Sequence, residues 1–243
     1  MKKYEFTGET KEIVLPYRKV VLHRIRAITD FGTVKVGDLG GWIEKEENLS
    51  HEGNAWVYGN AWVYDNAKIR GNAKIYGNAE VYGDAEVYGN AEVYGNAEVY
   101  DNAEVYGNAE VYGNAWVCGN AVVRGDAVVY GNAWVRSNAE VYDNAEVYGN
   151  AWVYGNALVR GDAEIFLTSQ VLTIGPIGSR NGFTTFYRDK DNEITVKCGC
   201  FLGKMEQFLE KVEQTYGDSK HGQVYRAAAE MAKIQIDLEP ENR

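Results

Sequence analysis

The chain has 243 residues, 25% of them charged and 45% hydrophobic, which is the balance of a soluble folded protein of one or two domains. With 27 Gly and 18 Tyr against 3 Pro and 3 Cys, it is neither a collagen, nor a disulfide scaffold, nor a Pro-rich linker. Of the net charge of −10, residues 53–166 carry −9, from 15 acidic and 6 basic side chains; phosphate binding needs cations to displace counterions, so no direct nucleic-acid binding is expected there. No apolar run reaches the length of a membrane span and no signal core follows the N-terminus, so the expected location is cytoplasmic, with no membrane partner. Cys118, Cys198 and Cys200 are odd in number, and Cys198-Gly199-Cys200 lacks zinc-ligand spacing. Reduced thiols are expected, with no metal site and no cofactor.

In chain order, residues 1–52 read as an N-terminal β cap. Ile13-Val14-Leu15, Lys19-Val20-Val21-Leu22 and Arg24-Ile25-Arg26-Ala27-Ile28 have strand character, and Pro16, Gly37, Gly40 and Gly41 interrupt it. From Gly53 to Phe166 the unit Gly-Asn-Ala-X-Val-Tyr then runs 19 times over 114 residues without insertion or deletion. Every unit has Ala third and Val or Ile fifth. In extended chain, side chains alternate faces, so Ala and Val point inward while X points outward. Tyr-Gly-Asn must turn the corner, and a period of six fits neither an α-helix nor a heptad. Repeated short strands and corners can bury every Val only by winding into a parallel solenoid.

On these residues the sequence resembles the hexapeptide-repeat proteins: Val-Tyr-Gly-Asn-Ala-Glu places an aliphatic residue first and a small one four places later, as that family does. It departs by having Tyr where the family favours a small residue. The resemblance implies a left-handed parallel β-helix with 18 residues per coil, against the general preference of parallel crossovers for the right hand. The fold class expected is thus an all-β solenoid of about six coils, about 30 Å long at roughly 4.8 Å per coil, with a β cap before it and a small α+β module after it. Leu22-His23-Arg24-Ile25-Arg26, Gly40-Gly41-Trp42-Ile43 and Asn48-Leu49-Ser50 look like the opening of bacterial hexapeptide-repeat proteins labelled as transferases. Gly178-Ser179-Arg180-Asn181-Gly182 and Cys198-Gly199-Cys200-Phe201 are similar to tails of phage and prophage proteins.

Residues 18 apart stack, so the X positions form three outer columns. One of them carries Trp116, Trp134 and Trp152 in succession, with Arg136 beside Trp134. Exposed apolar ladders mark interfaces. The resemblance implies a homo-oligomer seam, a trimer with parallel rods; the alternative is that the C-terminal module folds back over this face. The sixth positions give a corner column Tyr58, Tyr76, Tyr94, Tyr112, Tyr130, Tyr148, Phe166, expected to stiffen the rod by ring contacts. Stacked glutamates such as Glu80 over Glu98 repel, and tyrosine hydroxyls and counterions, rather than a bound cation, are expected to temper them.

Residues 167–243 form the C-terminal module. Gln170–Ile174, Thr184–Tyr187 and Glu193–Lys197 read as strands; one helix carries Met205, Phe208, Leu209, Val212 and Tyr216 up to Gly217, and a second runs from about Gln223 to Ile236 with Val224, Ala228 and Met231 on one face. Residues 175–185 read as a polar loop in which Ser179, Arg180, Asn181, Thr184 and Thr185 have the donors to hold a small anionic ligand. Such a loop equally satisfies its own backbone.

Enzymatic readings fare poorly. Hexapeptide-repeat acyltransferases need a histidine base, yet His23, His51 and His221 all lie outside the rod. No catalytic residues are assigned. The function expected is a non-catalytic, self-associating binding or structural protein of phage or prophage type. The alternatives are sequestration of a small nucleotide signal by the C-terminal module, an acidic mimic of nucleic acid, and a degenerate hexapeptide acyltransferase.

Overall fold

A computed structural model describes residues 2–238. The chain opens with a long hairpin, β1 (Tyr4–Leu15) and β2 (Arg18–Ala27), turned at Pro16-Tyr17. The two segments 19–22 and 24–28 are therefore one strand, and Tyr4–Thr10, whose alternation is weak, pairs with it. β2 pairs antiparallel with β3 (Leu39–Ile43), which pairs parallel with the first rod strand on its face, Trp42 beside Trp62. Leu49 likewise pairs parallel with Ile69. Residues 40–52 thus form an irregular first turn, and the solenoid has about seven turns, one more than the repeat alone indicates.

The 19 repeat units give β4 (Trp56–Val57) to β22 (Glu164–Ile165), each a two-residue X-Val or X-Ile strand. Every third strand pairs in parallel, in register by 18 residues: Glu92 lies against Lys74 and Glu110. Among the described residues the rod has three faces of six, seven and six strands, and β1, β2 and β3 extend the third of these to nine. Backbone bonds join the coils at each step: the Glu92 N–H donates to the Ala109 carbonyl (3.0 Å), Tyr94 to Val111 (2.9 Å) and Asn96 to Gly113 (2.7 Å). The inward assignment holds, because the third-position Ala and fifth-position Val or Ile side chains form one core with 0–2% exposure.

The corners need a backbone that side chains resist. At Gly95 φ is +73°, and a Cβ there would sit 2.9 Å from the Gly113 backbone of the next coil. The asparagines after these corners form side-chain ladders, each amide donating to the carbonyl oxygen one coil on, as in Asn78 to Asn96 to Asn114 to Asn132 (3.1 Å each). Asp84, Asp126 and Asp162 accept such a bond from Asn66, Asn108 and Asn144. A carboxylate has no N–H to pass the ladder on, so the column breaks after Asp84 and after Asp126.

The C-terminal module is a four-stranded antiparallel sheet, β23 (Val171–Ile177), β24 (Gly182–Arg188), β25 (Ile194–Cys198) and β26 (Phe201–Lys204), followed by α1 (Met205–Tyr216) and α2 (Lys220–Gln235). The stretch read as a loop at 175–185 is mostly strand: only Gly178–Asn181 turn, because Thr184 and Thr185 continue the alternation of β24 and Ile177 pairs with Gly182. β26 has no counterpart in the sequence reading; Gly199-Cys200 simply reverse the chain, with Cys198 beside Phe201. Helix α2 starts earlier, at the Ser219 cap, and turns Tyr225, Ala228, Ala229 and Ala232 inward, while Met231 is 55% exposed. The inward stripe is thus rotated from the face expected, as small alanines let the helix lie close to the sheet. β24 closes the rod's end: Tyr187 enters the rod core and its hydroxyl donates to the Arg160 carbonyl (3.0 Å), and buried Arg188 donates to the Glu164 carbonyl (2.9 Å).

Candidate functional site

The indole ladder is built by the 18-residue register. Trp116 stacks on Trp134 at 4.5 Å between ring centroids, and Trp134 on Trp152 at 4.8 Å. Ring faces are therefore used within the chain and the edges point outward. The Arg136 guanidinium lies 5.3 Å from the Trp152 ring and 5.5 Å from the Tyr154 ring, a cation over aromatic faces, and has no ion pair among the described residues. Thr168 accepts the Trp152 N–H (3.0 Å), yet Trp152 stays 39% exposed beside a groove of about 210 Å³ shared with Leu172 and Phe183.

The indoles at the other end meet the cap, Trp56 fully buried and Trp42 and Trp62 half-buried. Trp56 occupies an outward position yet is 1% exposed, because Tyr4 and Phe31 of the cap pack against its ring edge-on. Trp42 and Trp62, which extend the ladder's own column, lie beneath Lys11 at 5.3 and 4.7 Å. Trp42 was not placed on this column by the repeat, since the repeat begins after it.

The acidic faces are tempered by the tyrosines. Tyr76, Tyr82, Tyr88 and Tyr94 each donate to the glutamate 16 residues on, at 2.8–3.0 Å, and each hydroxyl is pushed above the ordinary tyrosine range by burial first and by that glutamate second. Burial, then Glu98 stacked against it, raises the Glu80 carboxyl. Burial acts the same way on Glu92, but Lys74 and Tyr76 outweigh it and hold that carboxyl low. The corner tyrosines stack in parallel, Tyr76 on Tyr94 at 4.6 Å and Tyr88 on Tyr106 at 4.7 Å, and Arg70 and Arg124 cap neighbouring rings at 4.3 and 4.1 Å.

Of the five polar residues singled out at 179–185, the structure gathers three. Ser179, Arg180 and Thr184 line a cavity of about 290 Å³ together with Cys198, Cys200, Lys211, Tyr216 and Tyr225. Asn181 instead completes the turn, its N–H donating to the Gly178 carbonyl (3.3 Å). Thr185 faces the other way and accepts the Leu158 N–H of the rod (3.0 Å). Neighbours on a strand point to opposite faces, which separates Thr184 from Thr185. Within the cavity, buried Thr184 donates to the Cys198 thiol (3.1 Å), and the Tyr225 hydroxyl is raised by burial first and by Cys198 next. Lys211, Tyr216 and Tyr225 were absent from the sequence reading of this site; the helical spacing of Phe208, Val212 and Tyr216 was its one available signal.

Each histidine lies beside an aromatic ring, and His221 is exposed. His51 stacks on Tyr4 at 4.3 Å and burial lowers its pKa, His23 lies 4.8 Å from Phe6, and His221 meets Tyr216 edge-on at 6.0 Å. Among the described residues no group of three or more His, Cys, Asp or Glu side chains gathers as for a metal ion, and no helix is long and apolar enough to cross a membrane.

No family model matches the chain. A stretch of 62 residues is 39% identical to a protein described as uncharacterized acetyltransferase YdcK, from Escherichia coli (strain K12). It covers 24% of this chain and 19% of that protein, so the likeness spans about a fifth of the relative's length. Together with the six-residue repeat and the solenoid, it points to the hexapeptide-repeat β-helix class.

Proposed function

We propose that this is a non-catalytic binding and scaffold protein that self-associates through the Trp116, Trp134, Trp152 face of its rod. The observation that carries this reading is the open end of the ladder: Trp56 is sealed by the cap, whereas the stack of Trp116, Trp134 and Trp152 ends at a 39% exposed Trp152. Arg136, stacked there without a carboxylate partner, complements the glutamates that line another copy's rod. A parallel trimer, the assembly implied by the hexapeptide-repeat resemblance, would bring these together. A bacterial cytoplasm, including that of a prophage-bearing cell, is the setting we favour. The packing of His23 and His51 against rings of the cap, with the His51 Nδ1 accepting the Lys3 N–H (3.3 Å), supports a non-catalytic role.

Light scattering with circular dichroism tests the seam. The parent chain is expected to be an oligomer, and Trp116→Glu with Trp134→Glu a folded monomer, since outward changes leave the core intact. A monomeric parent would sink the seam. The similarity to an acetyltransferase supports a second reading, acyl transfer; acyl-coenzyme A turnover that disappears on joint replacement of His23, His51 and His221 by Gln would establish it instead.

A further inference from the structure

We propose that the cavity of the C-terminal module binds a small aromatic anion, a flat ring carrying a phosphate or a carboxylate. Its volume of about 290 Å³ falls just below the usual range of small-molecule sites, roughly 300–1,000 Å³, and suits a ligand of one or two rings. Its charge is the reverse of the molecule's. In a chain of net −10, Arg180 and Lys211 stand at this cavity, neither makes an ion pair among the described residues, and no Asp or Glu lines it. Two unpaired cations without a carboxylate between them attract an anion, and the planar guanidinium binds a phosphate or carboxylate through two parallel N–H bonds.

The walls supply the ring's partners. Phe201 and Tyr216, both half-buried, line the cavity with aromatic surface. Polar groups line it too: the buried Thr184 hydroxyl donates to the Cys198 thiol (3.1 Å), and the Tyr225 ring stands beside the Gly178 turn.

The site is also held in shape before any ligand arrives. Ser179 and Tyr216 join their hydroxyls at 3.0 Å, pinning the β23–β24 turn to the end of α1. At Gly178, with φ +73°, a Cβ would fall 1.8 Å from the Tyr225 hydroxyl, so only glycine lets the turn rest on α2. Arg180 follows directly on this anchored turn. A preorganised turn loses little freedom on binding.

The inference is independent of the rod's self-association, and calorimetry on the full chain tests it with three probes: adenosine 5′-monophosphate, benzoate and inorganic phosphate. Saturable binding of the nucleotide or of benzoate, tighter than inorganic phosphate, is expected; which of the two binds separates a phosphate ligand from a carboxylate one. Arg180→Gln and Lys211→Gln are each expected to weaken it about tenfold while the melting curve stays unchanged, as for the loss of one charge-assisted contact. Phe201→Ala should weaken the ring anions and leave inorganic phosphate unaffected. No binding of either ring anion, equal binding of inorganic phosphate, or binding indifferent to Arg180→Gln would overturn the proposal.

Discussion

The rod and the C-terminal module bury their side chains by opposite routes. In the rod each residue meets its equivalent 18 positions away, so Val99 lies between Val81 and Val117 and every coil repeats the last. In the module, Phe186, Val196, Phe208, Tyr225 and Ala229 converge from two strands and two helices. Periodicity yields long flat faces whose chemistry is whatever the X column holds. Convergence of unlike elements yields a concave site. That difference underlies the two proposals, association through the ladder on the rod and a small anion in the cavity of the module.

The sharpest way to break the comparison is Val99→Asp. A charge placed in the dry core, with no partner on either neighbouring coil, is expected to cost about 5 kcal/mol or more, read as a large drop in the rod's melting temperature. A melt like the parent's would refute the inward assignment of the fifth position. The joint comes next. Tyr187→Ala removes a fully buried ring that belongs to the rod core while its strand belongs to the module, at a cost of about 3–5 kcal/mol. It is expected to split one melting transition into two; a single shifted transition would show that the rod and module unfold together by another route. The smallest effect is expected from Asn96→Asp, which keeps the bond received from Asn78 and removes the one given to Asn114, for about 1 kcal/mol. Differential scanning calorimetry should show a larger loss for Asn96→Ala, which removes both.

The rod was legible in the sequence because one rule, inward Ala and Val with outward X, applies 19 times over. Trp116 over Trp134 over Trp152 followed from counting by 18. Counting did not reveal that Asn side chains bond along the corners, although 16 of 19 units carry Asn in second place. Read as turn formers, they hid a second role. At the rod's ends the rule stopped: the turn at 40–52 lacks the repeat yet pairs like it, and Trp56 is buried by the cap Tyr4 and Phe31 that no periodicity announces. In the module, pattern located helices and strands but not their facing. Thr184 and Thr185 looked equivalent until the strand turned one to the cavity and the other to the rod, and the inward stripe of α2 followed Tyr225 and its alanines rather than the bulkier Met231.

The interrupted asparagine columns leave their mark on how the rod carries load. Among the described residues, the step after Asp84 still has Asn72 to Asn90 and Asn78 to Asn96, and the step after Asp126 still has Asn132 to Asn150 and Asn138 to Asn156. The gaps are offset like the joints in courses of brick, so no level of the rod loses more than one of its three corner bonds. Pulled along its axis, the rod keeps at least two of its three corner bonds at every level from Asn54 to Asn156.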